Sequence, residues 1–78
     1  MKLLVRNLSR ATTEQQLRVL FSAHGAVTTC NLVLDQVTGQ SKGFAFIEMP
    51  NSEQAKAAIS SLNQCQLDKN KIRVKLSK

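Results

Sequence analysis

Lys42-Gly43-Phe44-Ala45-Phe46-Ile47-Glu48-Met49 decides how the chain folds. Read as a strand, its side chains alternate between two faces. Gly43, Ala45, Ile47 and Met49 fall on one face and are small or apolar, as a core requires. Lys42, Phe44, Phe46 and Glu48 fall on the other, where two aromatic rings lie beside a cation and an anion. The chain has only 3 aromatic residues, so two of them on a charged face is unexpected in a domain short of core material. Exposed rings flanked by positive charge make a platform on which unpaired bases stack. Alternation alone leaves a second reading open: a core strand in a sheet covered on both sides, with the rings inside.

The rest of the chain bears on that choice. With 78 residues it is expected to form one small domain over 1–78, using nearly every periodic apolar position for burial. Eleven Lys or Arg stand against 5 Asp or Glu, a net charge of +6, which favours an acidic partner, nucleic acid before an anionic membrane. No apolar run is long enough to span a bilayer, and Arg6 follows Leu3-Leu4-Val5 too soon for a signal-peptide core. Cys30 and Cys65 have no metal-ligand spacing, and the only histidine is His24. Two unpaired thiols fit a reducing, cytoplasmic compartment. No cofactor and no metal site are expected.

Leu3 to Leu8 forms a first strand, with Leu3 and Val5 on one face and Leu4 and Arg6 on the other. Thr12 or Thr13 caps a helix, each with a glutamine three residues on. Leu17, Leu20 and Phe21 are its buried stripe, and Gly25 is its expected stop. Val27 to Leu34 is the second strand, with Cys30 and Leu32 inward and Asn31 and Val33 outward. A turn-rich loop, 35–41, leads into the octapeptide, so strands two and three are antiparallel neighbours. Pro50 ends that strand. Asn51 or Ser52 caps a second helix, with Ala55, Ala58, Ile59 and Leu62 on its inner face. Lys71 to Leu76 is the fourth strand: Ile72, Val74 and Leu76 point in, while Lys71, Arg73 and Lys75 point out.

Strand, helix, strand, strand, helix, strand is the split βαβ plan of the ferredoxin-like α+β fold. It has a four-stranded antiparallel sheet with both helices on one face. The helices cover the apolar face and no third layer remains for the other. Leu4, Arg6, Asn31, Phe44, Phe46, Arg73 and Lys75 are then open to solvent, which weakens the two-sided reading.

The chain now resembles an RNA-recognition motif over its whole length. Lys42 to Met49 matches the family's octamer, Leu3 to Leu8 is similar to its hexamer, and Asp35 to Gly43 resembles its Asp-x-x-Thr-Gly-x-Ser-Lys-Gly loop. With little sequence outside these motifs, the chain is also similar to the compact single-domain members found in bacteria. The resemblance implies a module that binds short single-stranded RNA on the open sheet, with single-stranded DNA as a further ligand, and the chain is expected to be a monomer. It gives Phe46 a base to stack on and places Phe44 against a sugar or between two nucleotides. Lys42 would contact phosphate, and Arg6, Arg73, Lys75 and Lys78 would carry positive charge along the strand. Asn31 would hydrogen-bond a base edge. Two departures stand out. Leu4 occupies the hexamer's aromatic position, which removes a stack worth about 1–3 kcal/mol. Gln64 and Lys69 stand where the family often has glycine.

Two other function classes compete. A protein-interaction module would hold a peptide on the sheet or helices, and Leu4 in place of a ring suits it. An enzyme or metal carrier on the same plan would need a cysteine pair near the first loop or a glycine-bearing phosphate cradle. Ser9-Arg10-Ala11-Thr12 supplies neither, so a non-catalytic module is expected.

Overall fold

A computed structural model describes residues 1–77. The elements run β1 (Lys2–Arg6), α1 (Glu14–Ser22), β2 (Thr29–Leu34), β3 (Ser41–Glu48), α2 (Ser52–Leu62), β4 (Gln66–Leu67), β5 (Asn70–Lys71) and β6 (Arg73–Ser77). The main sheet has the order β2-β3-β1-β6 and every neighbour is antiparallel. With both helices on one face, this is the ferredoxin-like fold that the alternation predicts. The expected fourth strand divides in two. A two-stranded ribbon, β4-β5, precedes β6, and Ile72 separates them with backbone bonds to Cys65 and Gln64.

The helices start where side chains satisfy their first N–H groups. Of the two threonine candidates, Thr13 caps α1: its hydroxyl accepts from the Gln16 amide at 3.2 Å, and the Gln16 side chain accepts from the Thr13 amide at 2.8 Å. Asn51 caps α2, accepting from the Gln54 amide at 2.9 Å. Leu17 and Phe21 from α1 and Ala55, Ala58 and Leu62 from α2 meet Leu3, Val5, Cys30, Ala45, Ile47 and Val74 from the sheet. The alanines of α2 let its backbone come close to the strands.

Two expectations fail here. Gly25 does not terminate α1 through a left-handed turn; Ala23 ends the helix in right-handed geometry. Gly25 is needed for space instead, since an added Cβ would lie 2.6 Å from the Gln54 Cβ, and Gln54 in turn accepts from the Ala26 amide. Leu76, expected inward, is 49 % exposed. It lies on β6, the edge strand, where the helical layer leaves it uncovered.

Both sheet edges are partly closed by side chains. The Glu14 carboxylate accepts from the Leu32 amide on β2 at 3.2 Å, and Asn63 accepts from the Val74 amide on β6 at 3.2 Å. Such bonds occupy edge donors that would otherwise pair with another strand.

Candidate nucleic-acid interface

The face of the sheet away from the helices is laid out in rows by strand register. One row runs Asn31, Phe46, Leu4, Lys75 across β2, β3, β1 and β6. The next runs Thr29, Glu48, Lys2, Ser77. Arg6 on β1 faces Arg73 on β6. Phe44 and Phe46 are half-buried, with no helix over them, and their rings meet edge to face at 6.1 Å and 89°. The covered-on-both-sides reading of this strand therefore fails. Its inner positions, Ala45 and Ile47, are closed from water, whereas its two rings are not.

A bulge in β3 shapes one end of this face. Leu32 pairs with Ala45 and Leu34 with Ser41, so three residues of β3 face one residue of β2. Gly43, in the bulge, has φ +87°, a conformation that favours glycine. Its amide bonds to the Ser41 hydroxyl at 3.1 Å, and its carbonyl accepts from the Leu8 amide at 2.8 Å. Beside the bulge, Arg6, Arg10 and Lys42 line a polar cleft of about 270 Å³ that Phe44 borders.

The structure brings together Leu4, Arg6, Asn31, Lys42, Phe44, Phe46, Arg73 and Lys75 on or at the rim of this face. Leu4 is half-buried between Phe46 and Lys75, in the position expected of a third ring. Lys78 lies outside the described residues. Two cations that the sequence reading passed over belong here. Lys2 Nζ sits 5.2 Å from the centroid of the Phe46 ring, a cation–π contact. Its parity with Leu4 and Arg6 was the signal that marks it. Arg10 reaches the cleft from an irregular loop, where no periodicity could identify it.

The 35–40 loop bordering the face is held by its own polar groups. The Asp35 carboxylate accepts from the Val37 and Thr38 amides at 2.8 and 3.1 Å, and the Asp35 backbone bonds to Gly39 and Gln40. The Thr38 amide, then that of Val37, holds the Asp35 carboxyl below its ordinary pKa. Elsewhere, burial first and the Glu14 carboxylate second push the Cys30 thiol up. Among the described residues, no three His, Cys, Asp or Glu side chains gather to hold a metal ion, and no helix is long and apolar enough to cross a membrane.

Comparison with known proteins gives this geometry its class. Residues 3–73 match the RNA recognition motif family, and the chain belongs to that family. It is 42% identical to human Transformer-2 protein homolog alpha over 73 residues, 94% of this chain and 26% of that protein. It is 40% identical to glycine-rich RNA-binding protein 1 of Mycosarcoma maydis over 76 residues, 97% of this chain and 43% of that one. A 29 kDa chloroplast ribonucleoprotein of Arabidopsis thaliana is 38% identical over 73 residues, 94% of this chain and 21% of its own length. The chain thus spans less than half the length of these relatives. Among solved structures, RNA-binding protein PG1 superposes with a TM-score of 0.94 at 35% identity, covering 100% of this chain and 96% of that one. A Sex-lethal protein/RNA complex superposes with a TM-score of 0.94 at 30% identity, covering 99% and 46%. The expected kinship with bacterial single-domain members is overturned, because these relatives are eukaryotic. Brevity misled that reading: the motif has the same length whether it stands alone or within a longer chain.

Proposed function

We propose that the chain is a non-catalytic module that binds short single-stranded RNA on the open sheet face by stacking on Phe44 and Phe46. The observation that carries this is the pair of uncovered rings on a cationic surface. In a domain this small, leaving two of three aromatics half open gives up apolar burial. Stacked bases would restore it at about 1–3 kcal/mol per base. The Arg6–Arg73 pairing supports the same reading. Like charges directly opposite on neighbouring strands destabilise a sheet, and a phosphate between them would relieve the repulsion.

In this reading Phe46 stacks on one base and Phe44 lies against the adjoining sugar. Lys42, with Arg6 and Arg10 in the cleft, takes phosphate. Arg73 and Lys75 extend the cationic track on β6, Lys78 adds a further positive charge for phosphate, and Asn31 meets a base edge. Stacking and phosphate contact do not require a 2′-hydroxyl, so single-stranded DNA is a second ligand of the same face. The module acts as a monomer in the cytoplasm, and its free thiols at Cys30 and Cys65 suit a reducing compartment. The Sex-lethal complex supports the assignment, since a structure this similar holds RNA.

The test is the double substitution of Phe44 and Phe46 by alanine. Binding to a mixed pool of single-stranded oligonucleotides should vanish while the far-UV CD spectrum stays folded. Affinity of the unaltered chain should fall with salt, with a log–log slope of about −0.7 per phosphate contact. Unchanged oligonucleotide binding by the double variant would refute the assignment. A protein pull-down that survives nuclease treatment would point to the peptide-binding alternative.

A further inference from the structure

Glu48 is out of place on this surface. It is exposed, it lies two residues beyond Phe46 on the same face of β3, and it shares that face with Lys2, Arg6, Lys42, Arg73 and Lys75, of which Lys2 is directly opposite. A carboxylate there repels the phosphates that these cations attract. A structural role would be a cross-strand ion pair with Lys2, which faces it directly in the register. Lys2 does not make that pair. Its ammonium lies over the Phe46 ring, 5.2 Å from the centroid, and among the described residues no ion pair to Glu48 is present.

We infer that Glu48 and Lys2 together read the base stacked on Phe46 and select guanine. This rests on the stacking role of Phe46. Two residues of strand span about 6.6 Å, so the edge of a base centred on that ring comes within reach of the Glu48 carboxylate. The carboxylate only accepts hydrogen bonds and the ammonium only donates them. Side by side, they present acceptors next to a donor. The Watson–Crick edge of guanine is the complement: N1–H and the N2 amine donate to the carboxylate, and O6 accepts from Lys2. Uracil offers one donor, N3–H, and sets its O2 acceptor against the carboxylate. Adenine and cytosine turn a ring nitrogen acceptor toward it. The order expected is guanine, then uracil, then the other two. The incoming base displaces Lys2 from the ring face, which places its ammonium at the base edge rather than above it.

The experiment uses the 78-residue chain and fluorescence anisotropy with oligocytidine pentamers carrying G, inosine, U or A at the centre. Guanine should bind about tenfold or more tightly than adenine, in line with the discrimination of a bidentate base contact. Inosine, which lacks only the N2 amine, should lose several-fold. Glu48→Gln should erase the guanine preference while tightening all-cytidine binding, because it removes an anion from a phosphate-binding face. A residue that served only to hold the sheet would give neither that rise nor the inosine effect. Equal affinity for the four pentamers would overturn the inference, as would a guanine preference that persists in Glu48→Gln. So would a preference that Asn31→Ala, and not Glu48→Gln, removes. If Phe46→Ala binds every pentamer as the unaltered chain does, the stacking assignment falls as well. Base preference independent of Glu48, with binding still dependent on Phe46, overturns the inference alone.

Discussion

On the helix side of the sheet, Leu3, Val5, Ala45, Ile47 and Val74 are closed from water, whereas Leu4, Phe44 and Phe46 on the same strands stay half open on the other. The strands and the alternation are shared. What differs is the layer above, and with it the task each apolar residue performs. A side chain under a helix contributes to folding, while one on the open face contributes little until a ligand covers it. Substitutions on the two faces should therefore move different observables.

The largest effect is expected on the closed side. Phe21 of α1 is fully buried in the core. Phe21→Ala should cost about 3–5 kcal/mol of stability, from lost transfer energy and the cavity left behind. Since small domains hold only about 5–15 kcal/mol, urea denaturation should show a variant near the edge of folding. Phe46→Ala gives the contrasting result. Oligonucleotide affinity should weaken by about 1–3 kcal/mol, with a much smaller change in the urea midpoint. If both phenylalanines shift the midpoint equally, the two faces do not differ in the way described.

Leu4→Phe sharpens the contrast within one row of the sheet. The side chain lies between Phe46 and Lys75, so a ring there would offer a third platform. Titration with single-stranded RNA should show tighter binding by about 1 kcal/mol, the lower end of a base–aromatic stack. No gain would mean that the nucleic acid does not pass over β1.

These contrasts follow from what was and was not legible in the chain. Period-two alternation separates Phe44 and Phe46 from Ala45 and Ile47, and the element order then tells which set is uncovered. The same rule assigned Leu76 to the core because it shares parity with Val74. Parity fixes a side of the strand and says nothing about how far a helix reaches over it. Arg10 lies in a loop, where no repeat relates sequence to position. Gly25 looked like a helix stop because glycine favours left-handed turns, yet its need is for space beside Gln54, a contact 29 positions away that only the tertiary fold creates. Conversely, the absence of glycine at 64 and 69 was readable as a departure. The backbone shows its physical meaning: Gln64 and Lys69 have φ of 66° and 69°.

Gln64 and Lys69 belong to neither the cleft lining nor the rows of the open face, and their strain gives a smaller prediction. Asp68 and Lys69 both have positive φ between the short strands β4 and β5, the pattern of a type I′ hairpin turn. Glycine adopts this geometry without the Cβ clash. Lys69→Gly should stabilise the chain by up to about 1 kcal/mol and raise the melting temperature by a few degrees. RNA affinity should hold nearly constant, since Lys69 belongs to neither the platform nor the cleft. A loss of affinity much beyond one phosphate contact would place this hairpin in the interface.

The smallest effect separates the sheet from the loop at its rim. Residues 35–40 owe their shape to the Asp35 carboxylate and to backbone bonds within the loop, not to either apolar face. The Thr38 and Val37 amides favour the charged form and hold its pKa below the ordinary 3.8. A carboxylate depressed on folding contributes order that is present above 3.8 and lost as pH falls through the folded value. Acid should thus loosen the loop in that lower window. NMR titration should show the Val37 and Thr38 amide shifts moving with an inflection below 3.8, a response that Asp35→Asn removes. Amides of Leu3 and Ile47, paired across β1 and β3, should not follow that inflection. If the four amides move together, the loop is not an independent unit and its order derives from the sheet.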